Sequence, residues 1–174
     1  HVRLEAARRR MLAPIAPAGR DGPLPLSHQQ RRLWLAETCA GGTGAYNIPT
    51  LLRLRGALDR AALAAALAAL VARHEILRTV FGEAEGRPFQ RVLPPAPVPL
   101  PVREVGPDGL SAAIEAEAAV AFDLEQGPLL RAVLLRLAPA DHALLLLQHH
   151  LVSDGWSIDL LVRELAALHA GGPA

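Results

Sequence analysis

The chain has 174 residues, of which 51% are hydrophobic and 20% charged, with a net charge of +1 at neutral pH. That is enough apolar material for one sizeable core and argues against a disordered chain. The near-neutral balance argues against a nucleic-acid surface, and with no apolar run of 18 residues and no signal peptide the expected partners include no nucleic acid and no membrane, and the expected compartment is the cytoplasm. All 18 basic residues are Arg, which with the heavy use of Ala and Leu reads as coding bias rather than function. Cys39 is the single cysteine, so no internal disulfide is possible and a reducing compartment is expected.

Residues 1–21 read as a leading linker: Arg8-Arg9-Arg10 is a solvated basic face, and Pro14, Pro17, Gly19, Gly22, Pro23 and Pro25 forbid regular structure. The chain opens on His1 rather than Met, as a piece of something longer would. From Ser27, an N-cap residue, Leu33, Trp34 and Ala36 predict a helix that Gly41-Gly42 stops. Ile48 to Leu54 reads as a strand despite Pro49, and Asp59 to His74 as a helix with the stripe Leu63, Leu67 and Leu70. Ile76 to Phe81 and Phe89 to Val92 are predicted strands around a turn. The prolines from Pro94 to Pro101 make an extended loop running into a short strand near Val102 to Val105. Ser111 to Ala121 is a weak Ala-rich helix. Leu129 to Leu137 and Ala143 to Gln148 predict a hairpin in the middle of a sheet, and Ser157 is expected to cap a last helix through His169. Helices and strands without strict alternation predict an α+β fold, a two-layer sandwich of a mixed sheet and helices.

The chemistry concentrates in His149-His150-Leu151-Val152-Ser153-Asp154-Gly155. An imidazole changes charge near neutral pH and so can take a proton from a nucleophile and return it. Neighbours on a strand point to opposite faces, so one histidine is structural and the other faces an opening; that geometry disfavours a metal ion held by both, and no metal is expected. Asp154 either orients the base or holds the turn by pairing with an arginine, and the second reading is preferred because a buried carboxylate needs a partner. Gly155 serves the turn, or lets a backbone amide approach the reacting atoms. There is no Gly-x-Ser-x-Gly elbow and no phosphate-cradling glycine loop. What remains is a base acting on a nucleophile that the substrate brings; acyl transfer is one reaction that would fit, and the residues alone do not select it.

Five segments resemble one family. His149-His150-Leu151-Val152-Ser153-Asp154-Gly155-Trp156-Ser157 is similar to the His-His-x-x-x-Asp-Gly signature of the condensation domains of nonribosomal peptide synthetases, a signature shared with the wider chloramphenicol-acetyltransferase-like superfamily. Leu26 to Trp34 resembles that family's opening motif, with Gln29 where alanine is usual, and Arg73 to Phe81 resembles its Arg-His-Glu-x-Leu-Arg-Thr-x-Phe motif in full. Ala45 to Pro49 and Phe122 to Arg131 are also similar to it.

The resemblance implies a chloramphenicol-acetyltransferase-like lobe over residues 22–174, the N-terminal of two, with the C-terminal lobe missing. It implies amide formation between a carrier-bound acyl or peptidyl thioester and a carrier-bound aminoacyl acceptor. The partners would be donor and acceptor peptidyl carrier proteins and the missing lobe; the cofactor expectation is none bound by this lobe, the substrates riding on phosphopantetheine arms. It carries over His150 as catalytic, Gly155 as lining the reaction centre, Asp154 as structural and paired with Arg78, and His149 as support. It also implies that the intact domain is an enzyme and the isolated chain inactive. Asp154-Gly155-Trp156-Ser157 fits condensation rather than epimerisation, the histidine pair excludes the heterocyclising relatives, and Ser153 leans toward an L-configured donor. A non-catalytic carrier-binding module and a coenzyme A-dependent acyltransferase are the rival readings.

Overall fold

The computed structural model describes residues 19–20 and 22–171. The leading linker lies almost wholly outside them. Element order is β1 (Leu24–Pro25), α1 (His28–Ala40), β2 (Asn47–Arg55), α2 (Arg60–Arg73), a 3-10 turn (Glu75–Arg78), β3 (Thr79–Ala84), β4 (Arg87–Val92), β5 (Val102–Glu104), a second 3-10 turn (Pro107–Gly109), α3 (Leu110–Ala118), β6 (Leu130–Ala138), β7 (Asp141–His149) and α4 (Gly155–His169). The strands form a four-stranded sheet in the order β2-β7-β6-β5 and a three-stranded sheet in the order β1-β4-β3. The larger sheet is mixed: β5 runs parallel to β6, with α3 in the connection between them, and the other pairs are antiparallel.

β7 sits inside the sheet because it can be buried on both sides. Ala143 to His149 are all buried, none more than 1% exposed, so the apolar run does not alternate with polar residues as a half-exposed strand would. Its parity still sorts the core. Leu144 and Leu146 join Leu130, Ala132 and Leu134 under α2 and α4, against Leu63, Leu67, Leu70, Leu161 and Leu165. Leu145 and Leu147 join Val133 and Leu135 on the other face, with Phe81, Phe122, Leu151 and Val152. Leu33 and Trp34 of α1 and Ile114 of α3 pack against that second group, as does Leu26. The sandwich of sheet and helices is therefore accompanied by a cover on its second face.

Helix ends follow capping chemistry. The Ser27 side chain accepts from the Gln30 amide while the Gln30 side chain accepts from the Ser27 amide, and Gly41 ends α1 in the left-handed region. Asp59 caps α2. Two local expectations differ. The strand predicted from Ile76 begins only at Thr79, because the Leu77 and Thr79 amides donate to His74 and Ile76 and close a 3-10 turn first. The cap of α4 is Asp154 rather than Ser157: the Ser157 amide and hydroxyl both donate to Asp154 Oδ1, at 2.8 and 2.7 Å. In the segment before β6, Asp123 Oδ1 accepts the amides of Glu125 and Gln126, and Gly127 has φ 61 with its Cα facing Val80, so a side chain there would clash.

Candidate active site

β7 ends at His149 and α4 begins at Gly155, so the histidine motif spans the strand end, the five-residue turn and the first residue of the helix. The two imidazoles go to opposite sides, as neighbours on a strand must. His149 is 0% exposed and lies in the interior between Tyr46 and Phe122, whose ring meets it edge-on at 6.1 Å. Arg131 stacks over Phe122 at 3.9 Å and donates to the carbonyls of Glu117, Val120 and Ala121 at the end of α3. Burial pushes the His149 imidazole down to about 4, with the neighbouring His150 as a second cause, so it stays neutral at working pH. Its Nδ1 accepts the amide of Leu151 at 3.1 Å.

His150 is half-buried and lines an open cleft of about 340 Å³ shared with Ser27, Gln29, Gln30, Leu33, Ser153, Asp154 and Ser157. Its backbone is held by the amide's bond to Tyr46 O at 2.9 Å, and its ring by Nδ1, which is 2.8 Å from Ser153 O. A carbonyl can only accept, so Nδ1 carries the proton and Nε2 keeps the lone pair. The site thus presents an imidazole nitrogen ready to take a proton, in a cleft between the first turns of α1 and α4.

Asp154 is exposed, and the Ser157 hydroxyl and amide hold its carboxyl below the usual range. The expected ion pair with Arg78 is not formed among the described residues. Asp154 spends one oxygen on the start of α4, while Arg78 donates to Leu93 O and lies 3.9 Å from Glu75. Arg78 lines a different, mainly apolar groove of about 580 Å³ along β6 and the proline-rich loop. Gly155 is the first residue of α4, exposed, with nothing within 4 Å of where a Cβ would stand. Its backbone has no need of glycine, and it is not among the residues that line the His150 cleft, though its neighbour Asp154 is. Arg73 and His74 reach Glu164 of α4, as helix-end residues that tie α2 to its neighbour.

One residue near the motif went unread in the sequence. Glu37 on α1 is 3% exposed, and its Oε2 stands 4.0 Å from His149 Nε2. Burial raises its carboxyl above the usual range. The signal was available: Leu33 and Trp34 face the core, and a residue three or four positions on shares their side of the helix. Among the described residues no group of three or more His, Cys, Asp or Glu is placed to hold a metal ion, and no helix is long and apolar enough to cross a membrane.

The family model for the condensation domain matches residues 21–172. The chain belongs to that family. A probable non-canonical nonribosomal peptide synthetase, CymA of Salinispora arenicola, is 45% identical over 157 residues, which is 90% of this chain and 2% of that protein. Chondramide synthase cmdD of Chondromyces crocatus is 44% identical over 165 residues, 90% of this chain and 4% of that protein. Among solved structures, the X-domain of teicoplanin biosynthesis in complex with OxyB superposes with a TM-score of 0.84 at 34% identity, over 93% of this chain and 36% of that one. The starter condensation domain of rhizomide synthetase RzmA gives 0.79 at 27% identity, over 88% and 40%. The mixed sheet and helices are therefore those of the chloramphenicol-acetyltransferase-like condensation fold. The chain spans a few per cent of these synthetases and well under half of the solved chains.

Proposed function

We propose that residues 22–174 are the N-terminal lobe of a two-lobed condensation domain that forms an amide bond, with His150 as its catalytic group. The observation that carries this is the 2.8 Å approach of His150 Nδ1 to Ser153 O in a ring that lines the cleft: a carbonyl there calls for the proton on Nδ1, which leaves the lone pair on Nε2. An amine held there attacks the carbonyl carbon of a thioester, so that a C–N bond forms and the amine's proton passes to Nε2. The tetrahedral intermediate collapses with loss of the C–S bond, and the imidazolium returns the proton to the departing sulfur. Holding the amine against the carbonyl supplies a further part of the rate.

The substrates in this reading are an acyl or peptidyl donor and an aminoacyl acceptor, each on the phosphopantetheine arm of a carrier protein. The RzmA starter domain, as a mutant, has been crystallised with C8-CoA and Leu-SNAC, one acyl and one aminoacyl derivative. Gly155, next to Asp154 of the cleft, keeps room for the reacting groups. Trp156 and Leu160, 89% and 46% exposed beside the cleft, suit a face that the second lobe covers. In this reading the second lobe closes the cleft over the substrates, so residues 22–174 alone are expected to give no turnover. In the intact domain, His150→Ala should abolish most product in a condensation assay with loaded carriers, and product at the wild-type rate would reject the assignment. A binding role without turnover is the second reading, favoured by the X-domain's complex with OxyB; it predicts carrier or enzyme capture that survives His150→Ala in a domain with no measurable condensation.

A further inference from the structure

The buried contact between Glu37 and His149 has no part in the reaction written above, and it is the least comfortable polar contact in the core. Both residues are almost wholly buried, and neither Glu37 Oε2 nor His149 Nε2 has a hydrogen-bond partner among the described residues. A leucine would suit this position on the apolar side of α1 and would bury no acid.

The hydrogen bonds around His149 fix what Glu37 must do. Because the Leu151 amide donates to Nδ1, that nitrogen holds no proton, and the neutral ring carries its proton on Nε2. Nε2–H faces the Glu37 carboxylate across 4.0 Å, about 1 Å beyond a hydrogen bond and within reach of small side-chain rotations. Leu151 is the first residue of the turn after His150, and Ser153 in the same turn receives the Nδ1–H of His150. Adjacent histidines are thus held as opposite tautomers by the backbone of one short stretch, Leu151 to Ser153.

We propose that Glu37 is a positioning residue: its carboxylate receives the Nε2–H of His149 and fixes the ring whose Nδ1 holds the turn that aims His150. This rests on the reading of His150 as the catalytic group. Glu37 itself touches no reacting atom.

The test compares Glu37→Gln, Glu37→Leu and His150→Ala in the intact condensation domain, with kcat and KM from loaded carriers and 15N spectra of the His149 ring. The wild-type spectrum should show the proton on Nε2 and a bare Nδ1. Glu37→Gln keeps an acceptor and should stay within about threefold of wild-type kcat. Glu37→Leu should lower kcat by about tenfold or more with KM changed less than about twofold, and should mix the His149 tautomers. Wild-type kcat in Glu37→Leu, an equal loss in Glu37→Gln, or a wild-type ring protonated on Nδ1 would each overturn the proposal. If Glu37→Leu fails to fold, the wild-type spectrum and Glu37→Gln still decide. An active His150→Ala would instead sink the catalytic reading, while the spectrum judges the Glu37 contact on its own.

Discussion

His149 and His150 are chemically identical neighbours with opposite situations. One is sealed between Tyr46, Phe122 and Glu37, while the other stands in an open cleft. The difference comes from strand parity and from which nitrogen each ring has committed. His149 spends Nδ1 as an acceptor inside the protein, and His150 spends Nδ1 as a donor and keeps Nε2 for the cleft. The fold thus moves the titration of one imidazole below the neutral range and leaves the other ring at the cleft. A pair of histidines in a sequence should therefore be read as a division of labour before it is read as a doubled site.

The sharpest way to break this comparison is to remove each ring in turn. His150→Ala in the intact domain is expected to lower the condensation rate by about 10²–10⁴-fold, with little change in Tm. His149→Ala should do the reverse in kind, destabilising the fold by about 2–4 kcal/mol through a cavity and an unpaired Leu151 amide. Urea denaturation of both variants checks this; a larger stability loss from His150→Ala would show that the buried and open positions have been assigned the wrong way round.

A pH series sharpens the same contrast. His149 falls from its ordinary 6.5 to about 4 on folding, so between those values the unfolded chain binds a proton that the folded chain refuses. Its contribution is fully present above about pH 6.5 and is lost as pH falls toward 4, on the order of 3 kcal/mol in all. Glu37 works against it: with its carboxyl raised, the folded chain holds a proton that the unfolded chain has released, so acidification through that range adds stability. Urea midpoints between pH 7.5 and 4.5 should fall in the wild type and fall more steeply in Glu37→Gln. A flat profile in that variant would mean that His149 titrates alike in both states.

Smaller effects are expected in the turn. Asp154→Ala should cost the α4 cap and lower Tm by about 3 °C, and Asp154→Asn, also a good cap, should recover most of it. Arg78→Ala should add independently to Asp154→Ala, because the two side chains share no contact. A strong coupling in the double variant would restore the ion pair suggested by resemblance. Gly155→Ala should leave Tm nearly unchanged, since the backbone does not require glycine, while lowering condensation by filling space next to Asp154 of the cleft.

The elements were legible where one physical signal dominated. The stripe of Leu63, Leu67 and Leu70 and the run Leu144 to Leu147 placed α2 and β7 within a residue or two of where they stand. Errors arose where two signals competed. Asp154 and Ser157 are both good caps, and only the geometry shows Ser157 donating to Asp154. Ile76 to Arg78 has strand-like composition, yet the amides close a 3-10 turn before β4 is there to pair with. The motif was readable because the parity of a strand sends adjacent side chains to opposite sides. The burial of Glu37 was readable from its spacing to Leu33 and Trp34, but its partner was not, because His149 lies more than a hundred residues away in sequence and meets it only when α1 packs over the end of the sheet.

β2 forms one margin of the larger sheet, and Pro49, Arg53 and Arg55 stand exposed along it. A proline has no amide to offer a neighbouring chain, and charged side chains stand along the strand, Arg53 paired with Asp141 and Arg55 beyond it. That margin is thus poorly suited to templating one copy onto the next, and a fibril grown by strand stacking would have to start elsewhere.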